Sequence, residues 1–100
     1  MAITKKRKEY YECHITMEGD AKKIEPIVEK TGWKFSKIDG DPILGAGVKC
    51  YATAHFNTRY CREFVQQQVD LVAQIFREQK GIKLLRRKVE LVLYDIKEAA

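Results

Sequence analysis

A chain of 100 residues with 45% hydrophobic residues, ten of them aromatic, is long enough to close one core without a metal or a disulfide. Its net charge is +5, but Lys5, Lys6, Arg7 and Lys8 supply four of those charges, so residues 9–100 carry only +1. No apolar run approaches the roughly 20 residues of a membrane helix, and the N-terminus has charges where a signal peptide would carry its apolar segment. A soluble cytoplasmic protein without membrane contact is expected. Cys13, Cys50 and Cys61 are an odd number of cysteines with no Cys-x-x-Cys pair, which speaks against a disulfide framework and a zinc module. All three read as small buried hydrophobes.

Residues 1–8 show no periodicity and are expected to be a flexible basic tail, with a single domain over 9–100. From Tyr10 to Glu18 the chain alternates strictly. Tyr11, Cys13, Ile15 and Met17 share one side and Tyr10, Glu12, His14, Thr16 and Glu18 the other, as in a half-buried strand. Asp20 can then cap a helix whose apolar stripe is Ile24, Ile27 and Val28. Pro26 either kinks that helix or marks where its regular part begins.

The segment "WKFSKID" places aromatics at alternate positions and predicts a second strand, followed by a loop over 39–47. Asp39 and Asp41 read there as turn formers. "VKCYATAHF" alternates again, with Val48, Cys50, Ala52, Ala54 and Phe56 inward and Lys49, Tyr51, Thr53 and His55 outward. A long helix is predicted from about 59 to 80, capped by Asn57 or Thr58 and ended by Gly81. Its stripe is Cys61, Val65, Val69, Val72 and Phe76, widened by Phe64 and Ile75. "LLRRKVELVLYDI" is the final strand, with Val89, Leu91 and Leu93 toward the core and Lys88, Glu90, Val92 and Tyr94 outward.

The order strand, helix, strand, strand, helix, strand predicts an α+β ferredoxin-like plait, a four-stranded antiparallel sheet with two helices on one face. The first and third strands are read as parallel neighbours at the sheet centre. His14 then stands on the uncovered face beside Thr53 and His55. With strands about 4.8 Å apart, the two imidazoles fall within roughly 8 Å of each other. Alternation sends Cys13 and Cys50 inward and both histidines outward, so they cannot share an ion. No metal and no cofactor are expected.

His14-Ile15-Thr16 resembles the His-x-Thr motif of the two-histidine phosphoesterases, with His55-Phe56-Asn57 in place of the second motif. Asn57 stands where that family has a hydroxyl residue, and the family is two-lobed with one motif per lobe. The resemblance implies catalytic roles for His14, Thr16 and His55. The imidazoles would exchange a proton while Thr16 and Lys49 hold the phosphate.

"KCYATAHF" resembles the third-strand motif of RNA-recognition domains, with Lys49 and Tyr51 at the outward positions and Phe56 at the buried one. Thr53 stands where a second stacking ring is expected, and each missing base stack forfeits about 1 to 3 kcal/mol. This implies weak binding of an anionic ligand or nucleic acid. The ligand-contacting set on the open face is Glu12, Lys49, Tyr51, Thr53, Lys88 and Tyr94. Tyr10, Tyr51, Val92 and Tyr94 also give that face apolar area for a homodimer.

Across the whole chain, "ECHIT", "IDGDP", "GVKCYATAHF" and "RRKVE" resemble a set of small bacterial and phage proteins that carry no activity to transfer. The expected function is a small binding or interaction domain whose open face takes an anionic ligand or a second subunit. A phosphoester-processing enzyme is the alternative.

Overall fold

The alternation between Tyr10 and Glu18 becomes the central strand of a sheet. The computed structural model describes residues 5–7, 9–41, 43–93 and 95–97. Among these the elements are β1 (Lys5–Arg7), β2 (Tyr10–Glu18), α1 (Ala21–Lys30), β3 (Lys34–Asp41), β4 (Gly45–Asn57), α2 (Arg62–Arg77), β5 (Lys83–Val92) and β6 (Asp95–Lys97). Four strands form one antiparallel sheet in the order β3-β4-β2-β5, an α+β arrangement with the two helices, and β1 pairs with β6 in a separate ribbon. Lys5–Arg7, within the stretch expected to be a flexible tail, thus pair with Asp95–Lys97.

One expectation is corrected at the sheet centre: β2 and β4 are neighbours but run antiparallel. The α1 crossover returns the chain so that β3 runs in the direction of β2. The hairpin after β3 then reverses it, and β4 enters between the two pointing the other way. The hairpin also absorbs most of the expected 39–47 loop, since Asp41 pairs with Gly45.

The core forms where the inward sides of β2 and β4 meet the helices. Cys13, Ile15, Met17, Cys50 and Ala52 are buried against Ile24 and Val28 of α1 and Val65, Val69, Val72, Ala73 and Phe76 of α2. Each large apolar side chain so buried contributes about 1.5–3 kcal/mol. Asp20 caps α1 by accepting the Lys22 N–H at 3.0 Å, and α1 runs through Pro26 to Lys30. Pro26 therefore does not mark the beginning of the regular helix. The Thr31 hydroxyl then donates to the Val28 carbonyl at 2.6 Å and accepts the Trp33 N–H at 3.2 Å. That turn lowers Trp33 into the core.

The second helix begins later than the stripe suggested. The Asn57 side chain accepts the Arg59 N–H at 2.9 Å, and its carbonyl accepts the Tyr60 N–H at 3.1 Å. Asn57 thus closes a turn, and α2 starts at Arg62 with Cys61 as its N-cap and no side-chain cap bond. Cys61, expected in the core, is exposed. Phe64 and Ile75 are also largely exposed. At the other end α2 stops at Arg77, before Gly81.

Leu91 and Leu93, expected inward, are 39% and 60% exposed. Leu91 lies past Val89 on an edge strand and Leu93 just after its end, both beyond the part of β5 that packs on the core. Where β2 ends, Gly19 (φ 153°) allows a close approach, because a Cβ there would lie 2.7 Å from the Gly81 carbonyl oxygen.

Candidate functional site

The register of the four strands sets side chains of the uncovered face in rows. Lys88, His14 and Thr53 lie in one row across β5, β2 and β4. Arg86, Thr16, Tyr51 and Ser36 form the row beside it, ending on β3. On the other side of His14 the row is Glu90, Glu12 and His55.

A depression of about 290 Å³ opens over the first two rows. His14, Thr16, Tyr51 and Thr53 of the central strands form its floor, Arg86 and Lys88 stand on the β5 side, and Ser36, Ile38 and Gly40 stand on the β3 side. Among the described residues the lining thus holds two cations, three aliphatic hydroxyls, one imidazole and one phenol, and no carboxylate. Lys88 lies 2.8 Å from Glu90, with both side chains largely exposed, so that pair is weak. Arg86 has no acidic partner among the described residues.

His14 is bonded at both ring nitrogens. Its Nε2 lies 2.5 Å from Glu12 Oε1 and its Nδ1 3.1 Å from the Thr53 hydroxyl. The hydrogen bond from His14 holds the Glu12 carboxyl below its ordinary range. Partial burial opposes it, and the charges of His14 and His55 add to it. A carboxylate can only accept, so Nε2 is the donor to Glu12. In the tautomer with the proton on Nε2 alone, Nδ1 is an acceptor for the Thr53 hydroxyl. The second Glu12 oxygen lies 3.4 Å from His55 Nε2, so one carboxylate joins the two imidazoles.

The residues singled out from the sequence separate into three groups. His14, Thr16, Tyr51, Thr53 and Lys88 line the depression together. Glu12 and His55 adjoin it without lining it, and the His55 ring lies 4.8 Å from that of Tyr10. Lys49, expected as an outward cation, has the parity of the open face but is only 4% exposed, with its Nζ 3.6 Å from Glu18. Tyr94 lies outside the described residues.

Sequence reasoning missed Ser36, Ile38, Gly40 and Arg86. The inward aromatics Trp33 and Phe35 carried the signal for Ser36, which must face the other way. Arg86 shares the parity of Lys88 and Glu90, so alternation would have placed it outward, and the bulge lies just beyond it. Thr16 pairs with Arg86 but Met17 pairs with Leu84, so Leu85 has no partner in that register. The extra residue lets Leu84 pack on the core while Arg86 lines the depression. Arg87 points the other way and is ion-paired with Asp70 of α2.

The cysteines contribute no nucleophile here. Burial, and secondly the Glu12 charge, pushes the Cys13 thiol up to about 11, and burial raises Cys50 as well. Among the described residues no group of three His, Cys, Asp or Glu side chains is placed to hold a metal ion, and no helix is long and apolar enough to cross a membrane. Compared with known proteins, the chain matches no family model, no curated protein and no solved structure.

Proposed function

We propose that this chain is a small binding domain that takes an anionic, phosphate-bearing ligand in the depression on its open sheet face. The observation that carries the reading is the charge of the lining, Arg86 and Lys88 on one side, of which Arg86 has no acidic partner among the described residues and Lys88 only the weak surface pair with Glu90. Planar guanidinium and ammonium groups bind phosphate oxygens by charge-assisted hydrogen bonds. The hydroxyls of Thr16 and Ser36 supply shorter donors on the floor and opposite side. The element order and the antiparallel pairing of all four main strands support placing the chain among ferredoxin-like plaits. Three free thiols support a reducing, cytoplasmic setting.

Titration of the full chain with inorganic phosphate, followed by amide chemical shifts at two salt concentrations, tests the reading. Shifts confined to the rows of His14 and Thr16, weakened about 10-fold or more in Arg86→Ala, are expected. Binding unchanged in that variant overturns it. So does sedimentation as a dimer that masks these rows and binds no phosphate, which points to self-association through this face.

A further inference from the structure

We infer that Thr53 is the nucleophile of a phosphoester-hydrolysing site, with His14 as its general base and Glu12 as the group that positions the imidazole. The inference rests on the anion-binding reading of the same depression. Three observations support it. The Thr53 hydroxyl lies 3.1 Å from His14 Nδ1, and with Nε2 donating to Glu12 at 2.5 Å the neutral ring presents Nδ1 to that hydroxyl as its base. Nucleophile, base and orienting carboxylate are therefore linked in sequence, the arrangement that activates a hydroxyl. Thr53 and His14 also line the depression whose opposite wall carries Arg86 and Lys88. A phosphoryl group held by those cations would sit over the hydroxyl, with the charge that builds on its oxygens stabilised in place. Finally, the second Glu12 oxygen faces His55, so the carboxylate is held from both sides and fixes the His14 ring.

The step balances with water as the only co-reactant. Thr53 Oγ attacks phosphorus and forms a P–O bond while the ester P–O bond breaks. The hydroxyl proton passes to His14 Nδ1 and from there to the leaving oxygen, which departs as an alcohol. Water then attacks the phosphothreonine with His14 taking its proton, the bond to Thr53 breaks, and that proton returns to Thr53 Oγ. The free enzyme results, with inorganic phosphate released from a monoester and a phosphomonoester from a diester.

The full-length chain is tested with p-nitrophenyl phosphate and bis(p-nitrophenyl) phosphate, measuring phenolate release and the intact mass after acid quench. Turnover of one of them, with a phosphoryl adduct on Thr53, is expected. Thr53→Val should lower turnover about 10²-fold or more while inorganic phosphate still binds, and Thr53→Ser should retain activity. In Glu12→Gln the pH profile of turnover should change shape, which a merely structural role would not produce. Turnover by Thr53→Val equal to that of the parent chain overturns the inference. Phosphate binding without turnover of either ester also overturns it but leaves the binding reading standing, whereas absence of both removes the two together.

Discussion

Glu12 Oε1 stands 2.5 Å from His14 Nε2, two residues along the same strand and on the same side. Strand geometry brings i and i+2 side chains to one face, and here it joins an acid to a base at the edge of a cationic depression.

The first prediction follows from the sign of the Glu12 shift. Its carboxyl is held below the ordinary range in the folded chain, first by the hydrogen bond from His14. A depressed folded-state value means that the unfolded chain takes up the proton first. The stabilisation is complete above the ordinary glutamate value of about 4.3 and is lost as pH falls through the lower folded value. Denaturant unfolding measured from about pH 6 down to pH 3 should show that loss, and Glu12→Gln should flatten the curve in this window. At neutral pH the substitution should cost about 1 kcal/mol, the low end for a charged hydrogen bond that water partly screens. An unchanged acid slope in Glu12→Gln contradicts the assignment.

Lys49 and Lys88 should part company under substitution, although both lie on strands of the open face. Lys49 is 4% exposed and Lys88 lines the depression. Lys49→Ala removes a buried aliphatic stem and should cost about 1–3 kcal/mol of stability with phosphate affinity unchanged. Lys88→Ala should stay within about 0.5 kcal/mol in stability and weaken phosphate binding. Thermal melts and phosphate titration of both variants check this, and the reverse pattern refutes it.

The three thiols should be distinguishable by labelling. Cys61 is exposed at the start of α2, whereas Cys13 and Cys50 are buried with their thiol pKa values raised. A native-state reaction with an aromatic disulfide reagent should therefore modify Cys61 promptly and the other two only on unfolding. Cys61→Ser should abolish the fast phase and change stability by less than about 0.5 kcal/mol. A fast phase that survives the substitution would mean that the core opens near Cys13 or Cys50.

Much of the sheet was legible because one side of β2 and of β4 is buried, which ties parity to burial residue by residue. Cys13, Ile15, Cys50 and Ala52 settled the faces, and His14, Thr53 and His55 on one shared side followed. Parity says nothing about chain direction, so β4 was given the wrong sense relative to β2. Nor does it say how deep a side chain sits, and Lys49 faces the open side yet is enclosed. Cys61 continues the four-residue spacing of Val65 and Val69, but the turn at Asn57 uses up the residues that an earlier helix start would need. Arg86 shares the parity of Lys88 and alternation alone would place it outward; what counting along one strand could not show is the bulge at Leu85, which turns Leu84 inward.

That mismatch at Leu85 has a consequence for how this surface tolerates change. Deleting Leu85 would leave Arg86 opposite Thr16 and Leu84 opposite Met17, each on its present side, with only the extra residue gone. The guanidinium of the depression is therefore insulated from a one-residue shortening at this point, and a chain lacking Leu85 should keep its hold on an anion.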